Sequence, residues 1–201
     1  MSDKDIDKIL DQNRAWVSSK TNDDSSFFSS RAEGQSPVFL WLGCADSRVP
    51  PNLILGLEPG DVFVHRNIAN VLPTDDVNSG SVIAYAVGAL GVKHVLVTGH
   101  TRCGGVLAAM DDASYGALDP WLANIKAVAA SHKDELDAFT DEAERANRLV
   151  ALNVEQQVAN VCEHEAVKAA WSEGRSLQVH GLVYELETGL LRDLGITRSG
   201  S

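Results

Sequence analysis

Short apolar segments that alternate with helical stretches constrain the fold of this chain more than any other feature. The segments are rich in Val, Leu and Phe and cover residues 38–42, 62–64, 94–98 and 177–183. The first three show no polar alternation, which is typical of strands buried on both faces. Helical stretches lie at about residues 79–91, 103–111, 119–132 and 141–173. The alternation predicts an α/β fold with a mainly parallel central sheet flanked by helices.

The first thirty or so residues predict a helical arm. Apolar side chains recur among charged ones at roughly helical spacing, at Ile6, Ile9, Leu10, Trp16 and Val17. Such an arm packs on the rest of the chain or on a neighbouring subunit. No internal repeat or flexible linker divides the sequence, so we expect residues 1–201 to form a single domain.

Composition excludes several classes of protein. The 201 residues are 44% hydrophobic and 22% charged, which suits a globular protein with one sizeable core rather than a disordered chain. No apolar stretch approaches the roughly 18 to 20 residues that cross a bilayer, and the N-terminus lacks the apolar core of a signal peptide, so we expect a cytoplasmic protein. A net charge of -11 argues against nucleic acid as a partner.

Thiol and imidazole side chains follow two of the predicted strands. Cys44 comes directly after the strand at 38–42, and His100 and Cys103 come directly after the strand at 94–98. The carboxyl ends of parallel strands meet at one edge of a sheet, so these side chains are expected to lie together. Zinc favours thiolate and imidazole ligands, and three protein ligands with an open fourth position are typical of catalytic sites. The sequence therefore predicts one Zn²⁺ per chain, while Cys162 is interpreted as a buried structural thiol.

Two further residues extend this candidate site. Asp46 stands two positions after Cys44, from where a carboxylate can reach the metal or its water. Arg48 stands two positions further on and can hold that carboxylate by a bidentate pair. The alternative is an ordinary structural ion pair. Glycines around His100 and Cys103 lack the spacing of phosphate-binding loops, which disfavours nucleotide binding.

These residues form two motifs that resemble the signature of the beta-class carbonic anhydrases. The motifs are Cys44-Ala-Asp-Ser-Arg-Val and Gly-His100-Thr-Arg-Cys103-Gly-Gly, and the similarity extends from about residue 12 to about residue 196. The resemblance implies an α/β fold in which two subunits exchange their N-terminal helices, so that the arm packs on the partner. It also implies a homodimer with active sites at the interface, paired again into a dimer of dimers.

The function implied by the resemblance is the reversible hydration of carbon dioxide to bicarbonate and a proton by zinc-bound hydroxide. Two thiolates cancel the formal charge of the metal, so we expect a weaker Lewis acid than a three-histidine site and activity that rises toward alkaline pH. Asp46 would accept a hydrogen bond from the hydroxide, and Arg48 would keep Asp46 ionised.

The resemblance also implies a set of residues around the substrate. They are Gln35, Phe63, Tyr85 and the backbone N–H of Gly104. An apolar wall suits carbon dioxide, and an amide donor suits an oxygen of bicarbonate. For Phe63 and Tyr85, packing in the core is an equally good interpretation.

A regulatory bicarbonate site is implied by similarity to the enterobacterial enzymes of the family. Its positions here are Trp41, Arg66 and Tyr184. In that subgroup the Asp of the Asp-Arg pair moves onto zinc and displaces water, and a zinc closed by four protein ligands is inert. We therefore expect Asp46 to switch in this way at low pH or high bicarbonate. Packing alone is the alternative for Trp41 and Tyr184.

Two other functions compete with carbon dioxide hydration. The first is hydrolysis of carbonyl sulfide or carbon disulfide on the same scaffold. The second is a non-catalytic role, in which a zinc-stapled fold serves as a scaffold or bicarbonate sensor. The presence of both Asp46 and Arg48 favours an enzyme.

Overall fold

The computed structural model describes residues 3–200 and divides the chain into two compact units, residues 1–35 and 36–201. The first unit consists of helices α1 (Asp3–Asp23) and α2 (Phe27–Ala32). Ile6, Ile9, Leu10 and Trp16 on α1 are 40% to 58% exposed, although all four are large and apolar. The prediction of an N-terminal helical arm is confirmed, and its contact with a partner stays a prediction.

The second unit is built on a sheet whose first four strands are parallel. They lie in the order β2-β1-β3-β4, and β5 and β6 both pair antiparallel with β4. The strands are β1 (Phe39–Cys44), β2 (Val62–Asn67), β3 (His94–His100), β4 (Gln178–Glu185), β5 (Leu190–Asp193) and β6 (Arg198–Ser199). The expected mainly parallel sheet is confirmed.

Helices follow and flank the strands. They are α3 (Pro51–Leu55), α4 (Val77–Ala84), α5 (Gly104–Met110), α6 (Asp119–Ser131), α7 (Lys133–Asp137), α8 (Glu142–Glu163) and α9 (Glu165–Ser172). A π-helical turn, Tyr85–Ala89, continues α4, and a 3-10 turn, Ile68–Asn70, follows β2. No helix within residues 3–200 has the length and apolar character needed to cross a membrane.

The predicted long helix at 141–173 is wrong, because the chain leaves the helix at His164. The ψ angle of His164 is 134°, which is extended, and its Nδ1 accepts a hydrogen bond from the Ala166 amide at 3.2 Å. His164 thereby ends α8 and caps the N-terminus of α9, which supplies an acceptor for an amide that the first turn leaves unpaired.

The sheet has an apolar cluster on each face. Successive side chains of a strand point to opposite faces, so Leu40 and Leu42 of β1 lie in the larger cluster and Trp41 lies in the smaller one. Helices α5, α6 and α8 contribute to the larger cluster. Cys44 ends β1 on the face of the larger cluster, at the carboxyl edge of the sheet.

Candidate metal centre

The carboxyl ends of β1 and β3 bring together two thiols and an imidazole. Cys44 is the last residue of β1, His100 is the last residue of β3, and Cys103 immediately precedes α5. All three are buried, and their ligand atoms lie within 4.8 Å of one another. The two Sγ atoms are 4.0 Å apart. Tetrahedral zinc with Zn–S bonds of about 2.3 Å would separate two sulfurs by about 3.8 Å, so this spacing fits the ion.

The orientation of His100 also fits a metal ligand. Its Nδ1 lies 2.9 Å from the carbonyl oxygen of Thr101, to which it donates, and this assigns the proton to Nδ1. Its Nε2 is fully buried and has no hydrogen-bond partner among residues 3–200. A buried nitrogen lone pair without a donor is costly unless a cation occupies the space beside it. The residues present therefore fit a zinc ion.

The two thiols differ in acidity. The hydrogen bond between them lowers the pKa of Cys44 and raises the pKa of Cys103, and burial opposes ionisation of both. Backbone amides of Gly105 and Val106 at the start of α5 favour the Cys103 thiolate. Because the second ionisation is opposed by the first, a divalent cation is what would hold both sulfurs as thiolates.

Asp46 lies beside the cluster and is held by Arg48. Its Oδ1 accepts hydrogen bonds from Arg48 N and Nε, both at 2.9 Å, and its Oδ2 accepts one from Arg48 Nη2 at 2.7 Å. The Arg48 guanidinium holds the pKa of Asp46 far below its usual range. Oδ2 is 3.8 Å from Nε2 of His100. The ionised carboxylate therefore faces the same space as the three ligand atoms.

The residues expected around the substrate belong to different structural elements. Phe63 of β2 and Tyr85 pack against each other with ring centroids 5.8 Å apart, and Tyr85 is 50% exposed. Gly104 is exposed and is the first residue of α5, directly after Cys103. Gln35 is exposed and is the last residue of the N-terminal unit.

The residues of the expected regulatory site share the face of the sheet opposite to Cys44. Trp41 is fully buried, Tyr184 packs against its cluster, and Arg66 pairs in register with Gly43, two residues after Trp41. The Arg66 side chain donates to the carbonyl oxygens of Cys44 at 2.8 Å and Asp46 at 2.5 Å. Within the described residues, Trp41 Nε1 is buried and has no hydrogen-bond partner.

Sequence reasoning missed two groups of contacts at or beside this centre. The backbone amide of Ala69 donates to Cys44 Sγ at 3.4 Å, which no sequence pattern reveals. Glu187, in the turn between β4 and β5, accepts hydrogen bonds from Thr101 Oγ1 at 2.8 Å and Arg102 Nε at 2.5 Å. The position of Glu187 beyond the carboxyl end of β4 is a signal that could have found it.

One structural interpretation also needs correction. Cys162 lies on α8 and is half-buried rather than buried. It takes no part in the cluster of Cys44, His100 and Cys103, so its assignment as a thiol outside the metal centre is unaffected.

A mainly parallel sheet with a buried group of two cysteines and one histidine at its carboxyl edge places the chain among α/β proteins whose strand ends could hold a metal ion. Comparison with known proteins identifies the family. A family model described as "Carbonic anhydrase" matches residues 39–191. The carbonic anhydrase of Emericella nidulans is 53% identical over 194 residues, which are 96% of this chain and 85% of that protein.

Solved structures agree with this family. A structure from a study of two tetrameric beta-carbonic anhydrases of the ascomycete Sordaria macrospora has a TM-score of 0.94 at 41% identity, covering 98% of this chain and 100% of that one. A beta-carbonic anhydrase of Aspergillus fumigatus has a TM-score of 0.92 at 43% identity, covering 95% and 91% of the two chains. The chain therefore belongs to the beta-class carbonic anhydrases and is an enzyme of that family.

Proposed function

We propose that this chain catalyses the zinc-dependent, reversible hydration of carbon dioxide to bicarbonate and a proton. The observation that carries the proposal is the buried group of Cys44, His100 and Cys103 with the ionised Asp46 beside it. The relatives from three fungi are named carbonic anhydrases, which supports the same reaction here.

The three ligands set the character of the site. Zinc, when bound, supplies a Lewis acid that makes water nucleophilic. Cys44 and Cys103 would hold it as thiolates and His100 as a neutral imidazole, so the chain contributes two negative charges to the site. This charge offsets that of the divalent ion, and hydration is therefore expected to rise toward alkaline pH.

Asp46 acts as a hydrogen-bond acceptor for the attacking water. Because Arg48 depresses its pKa, the carboxyl group stays ionised at working pH and cannot donate a proton. Three hydrogen bonds from Arg48 fix the plane of the carboxylate, which leaves Oδ2 directed toward the space next to His100 Nε2. Arg48 is thus a positioning residue for Asp46.

We assign the wall of the substrate pocket to Phe63, Tyr85 and Gly104. The paired rings of Phe63 and Tyr85 offer an apolar wall for carbon dioxide. Gly104 follows a metal ligand and is exposed, so its amide suits an oxygen of bicarbonate. Gln35 belongs to the N-terminal unit, and its role rests on the family resemblance alone.

We extend the proposal to regulation by bicarbonate at Trp41, Arg66 and Tyr184, as in the enterobacterial-like subgroup. The buried, unpartnered N–H of Trp41 among the described residues is a donor that suits an anion. Arg66 binds the backbone carbonyl oxygens of Cys44 and Asp46, so an anion that draws Arg66 away frees the Asp46 segment to move. Asp46 would then leave Arg48 and fill the open ligand position.

The regulatory part has its own test. Trp41→Ala and Tyr184→Phe are assayed below neutral pH and with added bicarbonate, beside the unsubstituted protein. Both substitutions are expected to relieve the inhibition that low pH or bicarbonate causes. Inhibition that persists unchanged in both variants would contradict the switch and would leave the hydration reaction untouched.

The assembly is proposed to be a homodimer that pairs into a dimer of dimers, located in the cytoplasm. The exposed apolar side chains of α1 support contact with a second copy, since a solvated helix face rarely carries four of them. The relatives from Sordaria macrospora are tetrameric. The cytoplasmic location rests on the sequence alone.

Stopped-flow carbon dioxide hydration from mildly acidic to alkaline pH, with zinc quantified per chain, tests the reaction. Sulfide release from carbonyl sulfide and carbon disulfide is measured on the same preparation. We expect hydration that rises with pH and exceeds sulfide release. Zinc in every chain without hydration at any pH would favour a non-catalytic sensor, and faster sulfide release would favour the alternative hydrolase.

A further inference from the structure

The turn that follows β2 holds two residues in an uncommon backbone conformation. Ala69 has φ 59° and ψ 30°, and Asn70 has φ 47°, so both lie in the left-handed region that favours glycine. Both are buried, at 0% and 2% exposure. Asparagine tolerates this region, whereas an alanine persists in it only where surrounding contacts impose it, and such strain is concentrated at functional sites.

The turn reaches the metal centre through its backbone. In this conformation the amide of Ala69 points at Cys44 and donates to Sγ at 3.4 Å. The start of α5 leaves room for the turn, because a Cβ at Gly105 would lie 2.8 Å from Ile68 Cγ2 and 3.0 Å from Ala69 Cβ. Ala69 therefore lies against Cys44, a candidate metal ligand, and against Gly105, two residues after the candidate ligand Cys103. The geometry of both segments depends on where Ala69 is held.

Buried amide side chains of α8 contact this turn. Asn153 Nδ2 donates to the carbonyl oxygen of Ala69 at 2.9 Å, and Asn153 is 1% exposed. Gln157, 2% exposed, donates to Asn153 Oδ1 at 3.0 Å and accepts from the Leu72 amide at 2.8 Å. Residues four apart lie on one face of a helix, so both side chains meet the turn together. Both ends of the Asn153 and Gln157 amides have a partner, which makes their arrangement specific.

We propose that Asn153, braced by Gln157, is a positioning residue that holds the Ala69 amide against the Cys44 sulfur. The inference rests on the metal binding in the proposed function. An N–H donated to a thiolate withdraws electron density from sulfur, so the sulfur gives less charge to a bound metal. Asn153 thereby offsets part of the charge that two thiolates supply, without contacting metal or substrate.

The test uses Co²⁺ in place of zinc, because cobalt bound by thiolate has a charge-transfer absorption band that reports the electron density on sulfur. Asn153→Leu is nearly isosteric and removes the donor to Ala69. We expect the band to move to longer wavelength, because the sulfur regains electron density. Co²⁺ is expected to bind roughly tenfold more weakly, because the turn no longer holds Cys44 in the orientation that suits a metal. Asn153→Ser, whose hydroxyl is too short to reach Ala69, gives the same expectation if the Leu variant does not fold.

Rescue distinguishes positioning from general stability. Glycine adopts the left-handed conformation without strain, so Ala69→Gly added to Asn153→Leu is expected to restore the band and most of the affinity. Val158→Ala is the matched control, because Val158 is buried on the same helix and carries no polar atom. It is expected to lower Tm and leave the cobalt spectrum unchanged.

Four results would overturn the inference. A folded Asn153→Leu protein with the original cobalt spectrum and affinity would refute the inference and leave the proposed function intact. The same spectral change in Val158→Ala, or no recovery on adding Ala69→Gly, would show an effect of stability only. If the unsubstituted protein binds neither Co²⁺ nor Zn²⁺, the metal site of the proposed function fails and the inference fails with it.

Discussion

Replacing Asp46 by Asn is expected to reduce the hydration activity far more than the stability of the protein. In the structure Oδ1 accepts two hydrogen bonds from Arg48 and Oδ2 accepts one. The amide nitrogen of an asparagine would take the place of either Oδ1 or Oδ2. In both orientations its N–H groups would face N–H groups of Arg48, so at least one hydrogen bond is lost. The substitution therefore removes the negative charge and also loosens the group that Arg48 holds.

The expected loss of activity follows from these contacts. Asp46 has one carboxylate oxygen, Oδ2, near the ligand atoms, at 3.8 Å from His100 Nε2. Loss of one preorganised hydrogen-bonding group in an active site lowers kcat by about 10²- to 10³-fold. Stability is expected to fall modestly, because the hydrogen bonds that lower the pKa of Asp46 also stabilise the folded state, while solvent screens the pair through the 53% exposed Arg48 side chain.

Stopped-flow hydration at alkaline pH, normalised to zinc content, measures this loss, and thermal unfolding measures stability in the same samples. Arg48→Lys is the matched variant, since it keeps the positive charge and loses the bidentate geometry. It is expected to reduce activity less than Asp46→Asn. A zinc-loaded Asp46→Asn enzyme with nearly full activity would refute the role given to this carboxylate.

Two further predictions concern stability. Hydrogen bonds from Arg102 and Thr101 hold the pKa of Glu187 at about 2, below its ordinary 4.5. The stability that these hydrogen bonds give the folded state is therefore complete above pH 4.5 and is lost as the pH falls toward 2. Glu187→Gln is therefore expected to lower the urea midpoint at neutral pH and not at pH 2, and an equal effect at both would contradict this. A Cβ on Gly43 would overlap the Trp41 ring, so Gly43→Ala is expected to cost about 1–3 kcal/mol and lower Tm by roughly 2 to 12 °C. Gly88→Ala is the control, because a Cβ there meets no atom within 4 Å, and an equal fall in its Tm would contradict the packing argument.

The sequence predicts the sheet and the ligand group because both depend on local chemistry. Buried parallel strands have apolar runs that are readable in one segment, and Cys44 and His100 stand at the very ends of two of them. The rule that parallel strands present their carboxyl ends at one edge then brings the ligands together without any further information. Asp46 and Arg48 are found because they are adjacent in sequence to a ligand.

What the sequence does not predict depends on contacts between distant segments. Alanine has no preference for the left-handed conformation that Ala69 adopts, and the carbonyl oxygen of Ala69 accepts a hydrogen bond from Asn153, which is 84 residues away in the chain. Strand β5 (Leu190–Asp193) is short and mostly exposed, so it has no apolar run to detect. The end of α8 was missed because the surrounding sequence is helical, and a single side-chain cap at His164 decides it.

Removal and return of the metal tests most directly whether Cys44, His100 and Cys103 hold the zinc that hydration requires. The protein is stripped with a chelator, its zinc content and hydration rate are followed together, and zinc is then titrated back into it and into Cys103→Ser. We predict that activity disappears with the zinc, returns in proportion up to one zinc per chain, and does not return in Cys103→Ser. Hydration at the original rate in the stripped protein, or full recovery in Cys103→Ser, would contradict the assignment of this site.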